Sequence, residues 1–86
     1  MTTVFYHKTF RKKYPKMPNF IQQAFKERLS LFLENPFHPL LHNHDVNKAY
    51  PGCRSINLSG DYRAIFEQGE GFVKFVNIGS HSELYG

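Results

Sequence analysis

Cysteine is nearly absent from this chain: Cys53 is the only one among 86 residues. A single thiol excludes an internal disulfide and points to a reducing cytosol. Cys53 itself reads either as a nucleophile or as a small core residue on a strand, and the second reading is preferred. Tryptophan is missing altogether, so nine Phe and five Tyr must fill the interior. No apolar run approaches the ~18 residues needed to cross a bilayer, and no apolar signal-type stretch follows Met1. The expected setting is therefore soluble and cytoplasmic, with no membrane partner. Repeats, low-complexity segments and linkers are lacking too. A chain this short has room for one core only, so residues 1–86 are expected to form a single domain.

Acidic residues are scarce in the first half. Residues 1–48 carry eight Lys/Arg against three Asp/Glu, a net of +5, and residues 49–86 carry three against four, a net of −1. Much of the surplus lies in "KTFRKKYPK", with Lys8, Arg11, Lys12, Lys13 and Lys16. Such a cluster is either a footprint for a phosphate backbone or a solvated helix face.

What is present sorts into few elements. "TVFYHK" (3–8) is β-branched and aromatic, as a strand should be. "TFRKKYP" (9–15) suggests a short helix capped by Thr9, with Phe10 and Tyr14 on one face. Ile21, Phe25, Leu29 and Phe32 trace a helical stripe from about Pro18 to Asn35. "PFHPLLHNHDVNKAYPG" (36–52) reads as an ordered loop. "CRSINL", "DYRAIFE" and "FVKFVNI" then read as three strands joined by tight turns. The expected fold is α+β in the order β-α-α-β-β-β. A small antiparallel sheet would carry two N-terminal helices on one face and leave a concave polar face open.

Polar residues of the second half gather near that open face. Asp61 and Arg63 are two apart, which on a strand puts them on one side. "SHSE" (80–83) fits a capping box, so the tail should turn helically, with Leu84 docked and His81 held against the sheet. Its first-turn position would favour an anion and disfavour a charged imidazole. Tyr85 lies four residues on and would stack with His81. The alternative is a surface histidine with no task. His38, His42 and His44 offer an H-x3-H-x-H set for zinc, but Pro36 and Pro39 oppose a helix and no second ligand pair exists. The preferred reading brings His44, beside Asp45, over the open face. Lys48 and Arg54 either hold phosphates or are ordinary surface charge. Imidazole, carboxylate, guanidinium and phenol beside a basic flank suit metal-free cleavage of an RNA phosphodiester, with one group taking the 2′-OH proton and another donating to the leaving oxygen.

The element order, "SGDYRAIFE" and the terminal "NIGSHSELYG" resemble the RelE/ParE toxin superfamily. The tail is most similar to its YafQ branch, which ends in Gly-Thr-His-(Ser/Ala)-(Asp/Ala)-Leu-Phe. The resemblance implies a RelE-like toxin of a type II toxin–antitoxin pair. Such a toxin enters the ribosomal A site, meets rRNA, cuts mRNA with neither metal nor cofactor, and is silenced by a cognate antitoxin. It implies catalytic roles for His81, His44, Asp61 and Tyr85, a base-stacking role for Tyr62, and a phosphate-binding role for Arg63. Two positions depart from the branch: Asn57 stands where a second histidine is usual, and Asn77 where an arginine is. A gyrase-inhibiting ParE-like binding toxin and a catalytically degenerate relative are the alternatives.

Overall fold

A computed structural model of the chain describes all of residues 1–86. The chain opens with strand β1 (Thr3–Tyr6), helix α1 (Lys8–Lys13) and a single 3₁₀ turn (Tyr14–Lys16). Helix α2 (Asn19–Glu34) follows, then a 3₁₀ turn (Pro39–Leu41) and strand β2 (His44–Asp45). Strands β3 (Arg54–Ser59), β4 (Tyr62–Gly69) and β5 (Phe72–Ser80) lead into helix α3 (His81–Tyr85). The α+β class and the two N-terminal helices agree with the sequence. No helix is long and apolar enough to cross a membrane.

Local chemistry explains the boundaries. Pro18, with no N–H to leave unsatisfied, precedes α2, and extended Asn35 ends it before Pro36. His7 rather than Thr9 caps α1, its Nδ1 accepting the Thr9 N–H at 3.1 Å. Gly60 takes φ +52° at the first turn position between β3 and β4, as a tight II′-type hairpin requires.

The sheet corrects one expectation. It has five strands in the order β1-β5-β4-β3-β2 and is mixed, not antiparallel. β1 runs parallel to β5, with Val4 opposite Val73: α1 and α2 carry the chain from β1 to β2 at the far edge, and three antiparallel pairings bring it back to β5. β2 also rises from the segment expected to be all loop, pairing His44 with Ser55.

One face of the sheet packs on α1 and α2. Phe10, Ile21, Phe25 and Phe32 meet Ile56, Phe66, Phe75 and Ile78, all at most 3% exposed. Phe75 sits among rings, 5.0 Å from Phe25 and 5.7 Å from Phe66. The opposite face is not fully open, as the sequence suggested. Residues 46–53 and α3 cover part of it, burying Cys53, Ile65 and Leu84 with Val46, Tyr50, Val76 and Tyr85 packed around them. A bulge helps: Ile65 pairs with Asn77 but Phe66 with Phe75, so Val76 is the extra residue on β5. Val76 and Asn77 therefore both turn to the α3 side, where Val76 joins this cluster and Asn77 meets Tyr50.

Candidate functional site

The tail is fixed by bonds that its own sequence encodes. Ser80 Oγ accepts the Glu83 N–H at 3.3 Å, and Glu83 Oε1 accepts the Ser80 N–H at 2.8 Å, the reciprocal pair of a capping box. Those bonds, helped by the nearby Lys13 ammonium, hold the Glu83 carboxyl below its ordinary value. Leu84 is buried against Ile65 and Cys53. The His81 N–H donates to the Asp61 carbonyl at 2.9 Å, pinning the helix start to the β3–β4 hairpin. His81 and Tyr85 then stand together, ring centres 4.8 Å apart.

Strand pairing lays the floor. Asn57 on β3 faces Arg63 on β4, and Arg63 faces Gly79 on β5. Arg63 Nη1 donates to the Gly60 and Tyr62 carbonyls at 3.1 and 3.3 Å, which aims the guanidinium along the hairpin. Burial pushes the Tyr85 phenol up, and the Ser55 hydroxyl and Arg63 guanidinium draw it partly back. Ser55 Oγ nevertheless completes no hydrogen bond of its own, and buried Asn57 Oδ1 also has no partner.

β2 supplies the wall. His42 adopts φ +47°, a left-handed conformation uncommon outside glycine, and directs its carbonyl at His44. His44 Nδ1 lies 2.7 Å from that oxygen. A carbonyl only accepts, so Nδ1 carries the hydrogen, and in the neutral ring Nε2 is the acceptor. The resulting cavity, about 410 Å³, is lined by His42, His44, Asp45, Val46, Asn57, Arg63, His81 and Tyr85. It lies at the small end of the ~300–1,000 Å³ range of ligand pockets.

Four residues named from the sequence thus converge: His44, Arg63, His81 and Tyr85. Others do not. Asp61 stands exposed in the hairpin turn, one residue before β4 begins, and offers His81 its carbonyl; Asp45 is the carboxylate on the cavity wall. Tyr62 alternates with Arg63 and so packs on the helix side, its ring 6.5 Å from Phe20 and closed to a base in the cavity. Arg54, also on that side, lies over Phe37 and donates to Asn43 Oδ1 at 2.7 Å. Lys13 donates to Asn77. Lys8, Arg11, Lys12, Lys16 and Lys48 are exposed and outside the cavity.

Asn57, one of the second-half polar residues expected near the open face, lines the cavity, and His42 and Val46 join it as wall residues that the sequence did not single out as such. His42 and His44 are two apart, a spacing that shares a face in extended chain. No three His, Cys, Asp or Glu side chains come together to hold a metal ion.

No protein-family model matches the chain, and no curated protein matches it. Solved structures do. YafQ from E. coli strain BL21(DE3) superposes with a TM-score of 0.84 at 18% identity, over 100% of both chains. The E. coli DinJ-YafQ toxin–antitoxin complex gives 0.81 at 17%, over 99% of this chain and 98% of that one. A YoeB/ParE toxin from Agrobacterium tumefaciens gives 0.75 at 10%, over 94% and 99%. The fold is that of the YafQ and YoeB/ParE toxins. Within the YafQ-like fold the cavity lies at the meeting of β2, the β3–β4 hairpin and α3, where the chain's histidines, arginine and terminal tyrosine gather.

Proposed function

We propose that this chain is the toxin of a type II toxin–antitoxin pair and an endoribonuclease that cuts mRNA in the ribosomal A site. The observation that carries the reading is the convergence of His44, Arg63, His81 and Tyr85 on one open cavity. His44 Nε2 takes the proton from a ribose 2′-OH. The freed oxygen attacks the adjacent phosphorus, and the bond to the 5′-oxygen breaks. His81 enters the step protonated, the approaching phosphate offsetting the first-turn cost of a charged imidazole, and donates a proton to that leaving oxygen. The products are a 2′,3′-cyclic phosphate and a 5′-hydroxyl. Arg63 offsets the charge that builds on the phosphoryl oxygens, the electrostatic contribution that mutagenesis ranks at ~10²-fold or more. Tyr85, its phenol held protonated by burial, donates a hydrogen bond to the same group. All protons in this scheme come from protein and substrate.

The toxin-like fold supports an antitoxin as partner, since one solved neighbour is a toxin–antitoxin complex. Exposed Lys8, Lys12 and Lys16, with Arg11, suit rRNA beside the message. A cytoplasmic site of action follows from that substrate. In vitro translation with primer extension tests the reading: breaks should appear at the decoding site and vanish with His44→Ala or His81→Ala. Undiminished cleavage by both variants would overturn it.

A further inference from the structure

Helix α3 has five residues, too few to hold a shape alone in water. The side chains that tether its far end form a chain with one possible hydrogen-bond direction. The Lys13 ammonium, which only donates, reaches Asn77 Oδ1 at 2.9 Å. Asn77 Nδ2 therefore faces the Tyr50 hydroxyl, at 3.3 Å, and donates to it. That hydroxyl passes its own hydrogen to the Leu84 carbonyl at 2.7 Å, and the Tyr50 ring meets Tyr85 edge to face at 5.9 Å. Lys13 also touches the root of α3. A Cβ on Gly79 would lie 3.2 Å from both Lys13 Nζ and Glu83 Oε1, so this glycine leaves room for the ammonium.

We propose that Lys13, Asn77 and Tyr50 are positioning residues, a relay from α1 through β5 and the 46–53 loop that fixes α3 and thereby places His81 and Tyr85 over the cavity. The catalytic half of this proposal rests on the nuclease reading; the structural half does not. Lys13 then serves the site from within the protein, apart from the neighbouring lysines that face outward. A relay of this kind links its members, because each group's orientation sets the next.

Tyr50→Phe removes the hydroxyl and keeps the ring against Tyr85, and Lys13→Met removes the charge at similar volume. Amide hydrogen exchange on the free protein reads the tether through the Gly86 N–H, which donates to Ser82. Either variant should speed exchange there about tenfold, the scale of one lost hydrogen bond, and leave Ile56 and Phe66, in the helix-side core, unchanged. RNA cleavage should lose kcat by about the same factor with little change in KM, and Lys13→Arg should restore both readouts. Unchanged Gly86 protection in both variants would overturn the proposal. So would a Lys13→Met protein that keeps kcat and raises KM, the mark of a lysine touching RNA. Because exchange needs no RNA, a protein without nuclease activity would refute the functional reading and still decide the tether.

Discussion

His44 owes its chemical direction to a carbonyl two residues back. The left-handed turn at His42 brings that oxygen within 2.7 Å of Nδ1, and the far nitrogen is thereby left as the acceptor. His81 receives no such assignment and gets only its place, from the Asp61 carbonyl and the Tyr85 ring. Each is therefore replaceable for folding but not for proton transfer. His44→Ala and His81→Ala should each lower the cleavage rate by ~10²–10⁴-fold, the usual worth of one acid or base, with an unshifted thermal midpoint as the control. Cys53 is the opposite case, a reactive atom set where it cannot react. It is 8% exposed, and burial, then the charge of Glu67, pushes its thiol up. Alkylation near neutral pH should be slow in the native protein and become rapid only on unfolding; fast native labelling would contradict that environment. The sequence resolved residues where neighbours alone decide: His81 with Tyr85 is a four-residue spacing, and Cys53 fits the core of an apolar strand. The structure sets Tyr62 on the helix side, since it alternates with Arg63, and leaves Asp61 in the turn before β4, while Arg54, left open between phosphate and surface, lies over Phe37.

Helix α3 is the element most fully written in its own letters. Ser80 and Glu83 start and cap it and Leu84 docks it, with the bond from Tyr50 holding its far end. The same local code makes it sensitive to acid. The Glu83 carboxyl is held below its ordinary value of 4.5 by the Ser80 backbone and side-chain bonds first, and by Lys13 after them. A carboxyl depressed in the folded state stabilises above its unfolded value and loses that contribution as pH falls through the folded one. Tail amide protection should therefore be flat from neutral pH to about 4.5 and decline below it. Glu83→Gln should remove the decline, and Ser80→Ala should weaken the helix by about 1 kcal/mol at every pH. A tail equally protected at pH 3 and pH 7 would show that the Glu83 half of the box contributes nothing. The bulge at Val76 and the relay through Tyr50 were not legible in the same way. The Tyr50 bonds join residues 27 and 34 positions apart, and no local pattern records such pairings.

Across the whole molecule, charge and topology divide between the two halves of the chain. The first 48 residues carry the net +5, and the second half supplies three central strands and three of the four converging cavity groups, His44 excepted. Strand alternation and helical periodicity made the class and the α2 core legible. The parallel pairing of β1 with β5 was not, since it depends on where the crossover delivers the chain rather than on β1 itself. The charge asymmetry carries its own test. If the outward lysines of α1 meet a phosphate backbone, binding should release counterions, and log affinity should fall with log salt by ~0.7 per phosphate contact on a single strand. Fluorescence anisotropy with a short single-stranded RNA, titrated at several KCl concentrations, measures that slope. Lys8→Ala and Lys12→Ala should each flatten it by ~0.7. Lys13, one residue from Lys12 but bonded inward to Asn77, should leave it unchanged when replaced by Met. An equal flattening by all three would return Lys13 to the surface cluster; no flattening by any would make α1 a solvated face with no part in binding RNA.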